Sequence, residues 1–149
     1  MKNSVLKTGL LLAAILLAGT ACSKKEEGAT PTASPQANKG IGPVQNVTVG
    51  ALDTQLAAHG KELFQAKCSA CHKVEEKYVG PALKGVTQRR APEWIMNMIL
   101  NPQEMTQKDP IAKDLLATHF TQMSFQNVTQ EEARAILEFF RQNDSQGGK

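Results

Sequence analysis

Aromatic residues are scarce in this chain of 149 residues. They make up 5% of the sequence, with a single Trp and a single Tyr. A small domain with so few large side chains has a thin hydrophobic core, so we expect a buried group that is not part of the polypeptide to supply some of the missing apolar bulk.

An excess of charge of one sign is also lacking. The formal net charge is +3, but Lys2, Lys7 and Lys39 lie in segments that we assign to a leader and a linker. Residues 50–149 contain twelve Lys and Arg against twelve Asp and Glu, so the predicted domain is neutral. This balance argues against a nucleic-acid partner, which would need a basic patch.

Cysteine and histidine occur only three times each. Three of these six residues lie in one segment of five, Cys68-Ser69-Ala70-Cys71-His72. Two cysteines three positions apart, followed at once by a histidine, form the attachment signature of a c-type haem. On one turn of helix both thiols reach the same porphyrin edge, where they add to its vinyl groups. The histidine then projects toward the iron as an axial ligand.

Two other types of site use similar residues. A structural zinc site needs a second pair of ligands, and the remaining histidines, His59 and His119, are far apart in sequence. A thioredoxin-like redox pair needs a preceding strand, whereas a helical pattern precedes Cys68. Haem attachment is therefore the favoured interpretation.

The first 21 residues have the features of an export signal. Lys2 and Lys7 precede an apolar run from Gly9 to Gly19, which is shorter than the ~20 residues that a membrane span needs. The sequence Gly19-Thr20-Ala21-Cys22 resembles a bacterial lipobox, although Gly19 stands where Leu is usual. We expect Cys22 to be lipidated; the alternative is ordinary cleavage after Ala21, leaving a free thiol.

Residues 22–50 are predicted to form the lipid anchor and a flexible linker, because they are rich in Ala, Thr, Ser, Pro, Gly and charged residues. A short ordered end of the linker that docks on the domain is compatible with its apolar residues Val44, Val47 and Val49. The domain itself is predicted to span residues 51–145, with a disordered tail at 146–149.

The apolar periodicity of the domain is helical throughout, and we predict an all-α fold. Residues 73–91 are predicted to be a loop. Four helices are expected: Leu52 to Cys68; Pro92 to a stop at Asn101-Pro102; a short helix capped by Asp109 and continuing through Leu116; and a last helix that starts at the capping box of Thr129 and Glu132 and ends by Asn143.

These features, in this order, resemble the class I cytochrome c family over residues 52–143. The resemblance rests on Gly60 and Phe64 upstream of the attachment motif, on Gly80-Pro81-x-Leu83 after it, on a methionine in the loop before the last helix, and on Ile136 and Phe139 within that helix. It implies that the terminal helices cross at Gly60 around one covalently bound haem. It also implies that the carbonyl of Pro81 contacts the second nitrogen of His72, which fixes the tautomer of this ligand.

The resemblance makes Met123 the expected sixth ligand. It lies 51 residues after His72 and six before Thr129, although Ser124 stands where many relatives have Pro. Competing candidates are Met105, in a turn-like stretch, and His119, which would give a haem with two histidines. Met96 and Met98 are expected to fill gaps in the core.

Trp94 has two interpretations. Its indole N–H is either a donor to a haem propionate, which would place it in the cofactor site, or a core group bonded to the backbone. Arg89 and Arg90 are candidates to pair with propionates, and a solvated loop is the alternative.

The expected function is electron transfer by one covalent haem c with His72 and Met123 as axial ligands, and not enzymatic catalysis. Electrons would come from a quinol-oxidising complex or another cytochrome and pass to a terminal reductase or oxidase. The carrier is expected to be a monomer on the periplasmic side of a membrane, held by its lipid. The alternatives are a haem enzyme or gas sensor with an open distal site, such as a peroxidase, and, less favoured, a redox-inert zinc module.

Overall fold

The structure, a computed structural model, describes residues 37–147, and its regular elements are all helical. The predicted all-α class is therefore confirmed for this part of the chain. Six helices follow one another: α1 Thr54–Lys67, α2 Val86–Arg89, α3 Pro92–Leu100, α4 Pro102–Lys108, α5 Pro110–His119 and α6 Gln130–Gln146.

The first and last helices cross at a glycine. Asp53 caps α1 by accepting the amides of Gln55 and Leu56, and the predicted capping box of Thr129 starts α6. A β-carbon on Gly60 would stand 1.9 Å from the carbonyl oxygen of Ala135, so only glycine allows the two backbones to approach this closely.

An aromatic cluster packs beside this crossing. The ring of Phe64 in α1 lies 5.4 Å from that of Phe139 and 5.8 Å from that of Phe140, both in α6. These centroid distances are within the range in which aromatic pairs attract. Three of the chain's seven aromatic residues thus hold α1 and α6 together.

Pro102 begins a helix rather than only ending one. The sequence predicted a stop at Asn101-Pro102 and a turn around Met105, whereas Asn101 is both the last cap of α3 and the first cap of α4. Proline at a first helical position loses no hydrogen bond, because that N–H has no partner within the helix. The turn-like assignment of Met105 was therefore wrong, since it lies within α4.

A short helix also interrupts the predicted loop at 73–91. Helix α2 has no N-terminal side chain of its own to cap it. Asp144 of α6 takes that role, accepting the amides of Gly85 and Thr87 and the hydroxyl of Thr87. This capping depends on a residue far along the chain, so the local sequence carries no signal of it.

The chain before α1 packs against α3. Asn97, fully buried, donates to the carbonyls of Lys39 and Val44 and accepts the amide of Val44. Val44 is 2% exposed. The packed part of the chain therefore begins before residue 51, where we had placed the domain boundary, and the last part of the predicted linker is an ordered segment.

Several predictions concern residues outside the described range. The signal peptide at 1–21 and the lipidation of Cys22 belong to this group. The predicted tail at 146–149 is only partly described, and Gln146 is still helical. None of the helices within residues 37–147 has the length and apolar character that crossing a membrane requires.

Candidate functional site

One apolar cavity of about 300 Å³ opens between α1, α3, α5, α6 and the segments that connect them. This volume is within the range of small-molecule and cofactor pockets. Every site residue predicted from the sequence within the described range lines it: Cys68, Cys71, His72, Pro81, Trp94 and Met123. The cavity thus brings together residues that are up to 55 positions apart.

The attachment motif forms a turn that extends the end of α1. The amide of Cys71 donates to the carbonyl of Cys68 at 3.1 Å, and the amide of His72 donates to the same carbonyl at 2.9 Å. Both cysteines are free thiols, Cys68 half-buried and Cys71 exposed. Burial raises the pKa of the Cys68 thiol, although Lys67 opposes the shift. Two unpaired thiols beside one apolar cavity suit addition to the two vinyl groups of a porphyrin.

The imidazole of His72 is held by the Gly80-Pro81 segment. Its Nδ1 lies 3.5 Å from the carbonyl oxygen of Pro81, a long contact. A β-carbon on Gly80 would stand 2.3 Å from Cε1 of the ring, so the glycine backbone forms one wall of the imidazole site. The amide of Gly80 in turn donates to the carbonyl of Cys71 at 2.9 Å, which fixes the wall to the motif.

Burial lowers the pKa of His72 below its ordinary value, against the opposing effect of the Pro81 carbonyl. The charged imidazole of His119 would lower it further. The neutral ring is therefore favoured, and only a neutral ring has a lone pair for a metal. With Nδ1 directed at Pro81, the free lone pair belongs to Nε2.

Met123 lies in the connection between α5 and α6, half-buried at the cavity. Two contacts attach this connection to the rest of the protein. Thr106 donates its hydroxyl to the side-chain oxygen of Gln122 at 3.0 Å, and Lys67 donates to the carbonyl of Asn127 at 3.1 Å. The thioether is therefore placed by a segment that is anchored on either side of it.

The other methionines divide into two groups. Met96 and Met105 are 2% and 0% exposed and do not line the cavity, and the sulfur of Met105 accepts the amide of Ile41 at 2.9 Å. Met105 is thus engaged in the core, which removes it as a candidate ligand. Met98 does line the cavity, which the sequence had not indicated.

The indole of Trp94 lines the cavity, but its N–H donates to Asp109 at 3.1 Å. Asp109 is 2% exposed and also caps α5 through the amide of Ala112. An indole has a single N–H, so the predicted hydrogen bond from Trp94 to a propionate is corrected. The partner is neither a propionate nor the backbone, but a buried carboxylate.

Arg89 and Arg90 both line the cavity. Within residues 37–147 neither forms an ion pair with a carboxylate, and Arg89 donates to the carbonyl of Lys84. Burial lowers the pKa of Arg90, and the neighbouring charge of Arg89 lowers it further. The charge of Asp109 acts in the opposite direction on Arg90. Two cations at an apolar cavity, neither in a salt bridge, suit the propionates of a haem.

These residues fit a covalently bound haem. The chain provides two free thiols, a histidine favoured in its neutral form, an apolar cavity and two guanidinium groups that form no salt bridge. Among the described residues no cluster of three or more His, Cys, Asp or Glu is arranged to hold a bare metal ion, so the structure gives no support for the zinc alternative.

Comparison with known proteins agrees with this chemistry. The family model for cytochrome c matches residues 57–144. The chain is 36% identical over 62 residues to a cytochrome c-553-like protein from Synechocystis sp., covering 40% of this chain and 59% of the relative. It is 57% identical over 35 residues to cytochrome c-551 from Ectopseudomonas mendocina, covering 23% of this chain and 43% of the relative. The chain therefore spans about half the length of these curated relatives.

A solved structure shows a more extensive similarity. Cytochrome c from Rhodothermus marinus superposes with a TM-score of 0.69 at 44% sequence identity, covering 70% of this chain and 91% of that one. The family model spans more than half of the present chain, and the match includes the attachment motif, Gly80-Pro81 and Met123. The free thiols and the adjacent histidine at the cavity agree with these matches. The chain therefore belongs to the cytochrome c family, as a class I c-type cytochrome with one covalently attached haem c.

Proposed function

We propose that this protein is an electron carrier whose iron is ligated by His72 and Met123. The observation that carries the proposal is that both side chains line the same cavity as the two attachment thiols. With both residues bound to the iron, no position would remain for a substrate. We therefore propose that the protein is not an enzyme.

The bound haem would supply one-electron chemistry, and the chain would set the conditions for it. Gly80 and Pro81 orient the imidazole of His72, and the burial that favours its neutral form keeps it ready to bind iron. A thioether from Met123 raises the reduction potential relative to a second histidine. The apolar lining from α3, α5 and α6 would shield the bound haem from water.

Three exposed aromatic side chains are next in sequence to residues that line the cavity. Tyr78, Phe120 and Phe125 are 56%, 90% and 48% exposed. Lysines near the motif are partly neutralised, since Lys67 pairs with Glu132 and Lys84 with Glu75. These features favour a redox partner docked by apolar contact over one steered by charge alone.

We further propose that the partners are a quinol-oxidising complex or another cytochrome as donor and a terminal reductase or oxidase as acceptor. The leader at 1–21 supports export, and the lipobox supports anchoring through Cys22 to the periplasmic side of a membrane. Cys22→Ser is expected to release the protein from the membrane fraction. Continued association of the variant with membranes would contradict lipidation.

The axial ligands are tested by spectroscopy of the purified holoprotein. Ferric iron with a methionine ligand gives a far-red charge-transfer band, and we expect Met123→Leu to abolish it. Met105→Leu is the matched control, because Met105 is engaged in the core and should leave the band intact. Persistence of the band in Met123→Leu would overturn the ligand assignment.

An open distal site is the property that would make this protein a haem enzyme or gas sensor. Carbon monoxide binds ferrous haem only where a position is free, so we expect no rapid binding to the untreated ferrous protein. Fast saturation by carbon monoxide would contradict the proposed carrier function.

A further inference from the structure

His119 is the last residue of α5, and its side chain lines the cavity. Its Nδ1 is buried and has no hydrogen-bond partner among the residues that the structure describes. It is the one buried side-chain nitrogen or oxygen in residues 37–147 with this property. Buried polar atoms are nearly always paired, so an unpaired one points to a partner that is not part of the chain.

The surroundings of His119 identify the class of that partner. The side chains of His119 and His72 line the same cavity. His72 is the residue that the attachment motif directs at the iron. A neutral imidazole ligates iron through either of its ring nitrogens.

His119 and Met123 are placed by different parts of the chain. Helix α5 ends at His119 and is fixed at its other end by Asp109, which is 2% exposed and accepts hydrogen bonds from Ala112, Trp94 and Asn38. Met123 lies beyond the helix, in a connection where its neighbours Gln122 and Ser124 are exposed. The two side chains therefore lie on different segments, and a displacement of Met123 between the contacts of Gln122 and Asn127 would leave the imidazole on α5 in place.

We propose that His119 is a reserve sixth ligand, which binds the iron when the sulfur of Met123 leaves it. This inference rests on the proposed function, since it takes Met123 as the resident ligand. The exchange breaks one iron–sulfur bond and forms one iron–nitrogen bond. The neutral imidazole gives its lone pair, and no electron or proton is transferred. The exchanged form keeps both axial positions filled, at a lower reduction potential.

The test compares three variants of the holoprotein. Met123→Leu removes the thioether while conserving side-chain volume. Met123→Leu/His119→Leu also removes the reserve ligand, and Met123→Leu/Met98→Leu is the matched control, because Met98 is the other methionine that lines the cavity. Electron paramagnetic resonance of the ferric proteins identifies the ligands of the iron. Carbon monoxide titration of the ferrous proteins shows whether the sixth position of the iron is free.

We expect Met123→Leu to be low-spin with the signature of two histidine ligands, and the Met98 control to match it. The His119 double variant is expected to be high-spin. If His119 occupies the iron in about nine of ten molecules, the apparent affinity of Met123→Leu for carbon monoxide is about tenfold lower than that of the His119 double variant.

Two results would overturn the inference. One is a high-spin Met123→Leu that binds carbon monoxide as tightly as the His119 double variant does. The other is a low-spin signal that survives the loss of His119, or that disappears with Met98 instead. Absence of the far-red band in the unmodified protein is a separate outcome, because it would contradict the proposed ligation by Met123 itself. Circular dichroism and covalent haem content verify that each variant is folded.

Discussion

Gly80 lies directly against the imidazole of His72: a β-carbon at this glycine would stand 2.3 Å from Cε1 and 2.7 Å from Nδ1 of the ring. Contacts this short do not occur for real β-carbons. The requirement for glycine here is therefore one of space and not of backbone angle.

Gly80→Ala is expected to displace the ring of His72 and to destabilise the holoprotein by about 1–3 kcal/mol, as overpacking typically does. The free energy of unfolding and the absorption bands of the haem would both report this change. Gly50→Ala is the matched control, because a β-carbon at Gly50 meets no atom within 4 Å. Equal stability of the two variants would show that the imidazole site tolerates the added methyl group.

Gly60→Ala is expected to separate α1 from α6. Alanine normally stabilises a helix by about 1 kcal/mol relative to glycine. At this position, however, the methyl group would stand 1.9 Å from the backbone oxygen of Ala135, which cannot rotate away. A net loss of about 1–3 kcal/mol or more is expected from the clash, measured by thermal or denaturant unfolding. A stabilised variant would contradict the close crossing.

Asp109→Ala is expected to cost about 2–4 kcal/mol, because it removes a helix cap and leaves the buried indole N–H of Trp94 without an acceptor. Asp53→Ala is the control, since the exposed Asp53 caps α1 and has no buried side-chain partner. Loss of the cap alone is expected to cost about 1 kcal/mol. Similar losses in both variants, measured by denaturant unfolding, would show that the hydrogen bond from Trp94 adds nothing.

The stability of the protein is expected to depend on pH through Glu138, which is fully buried. Burial alone would raise the pKa of this carboxyl, but the amide of Asp53 and the guanidinium groups of Arg134 and Arg141 hold it below the ordinary value of 4.5. Since the folded pKa is the lower one, the stabilisation is complete above pH 4.5 and is lost as the pH falls through the folded pKa.

Unfolding free energies measured between pH 7 and pH 3 check this prediction. We expect Glu138→Gln to be less stable than the unmodified protein at pH 7 and to depend less on pH in the acid range. The control is Glu131→Gln, a substitution on the exposed face of the same helix. A pH profile of Glu138→Gln parallel to that of the unmodified protein would show that another group is responsible.

The sequence predicted what depends on neighbouring residues. The attachment motif is one turn long, so the spacing of Cys68, Cys71 and His72 was sufficient to assign it. The helix start at the capping box of Thr129 and the helix crossing at Gly60 were likewise predicted, because helix caps and mid-helix glycines have specific causes. Helix α4 carried a signal that was read only as a stop: Pro102 at a first turn, followed by the ion pair of Glu104 with Lys108.

The remaining features depend on residues far apart in the chain. The acceptor for Trp94 is 15 positions away and the partners of Asn97 are more than 50 away, so no local pattern indicates them. The burial of Glu138 was missed because a glutamate on an amphipathic helix normally faces solvent. The two arginines and the amide that surround this carboxylate are brought together only by folding.

The packing of the segment before α1 limits how far the haem domain can lie from the proposed lipid anchor. Asn38 donates to Asp109 at 2.6 Å, so the haem domain includes a packed residue that is sixteen positions after the cysteine proposed to carry the lipid. At full extension sixteen residues reach about 55 Å. With the proposed anchor, Asn38 would stay within about 55 Å of the bilayer surface, and the haem domain would meet only those partners whose docking sites lie within this reach plus the width of the domain.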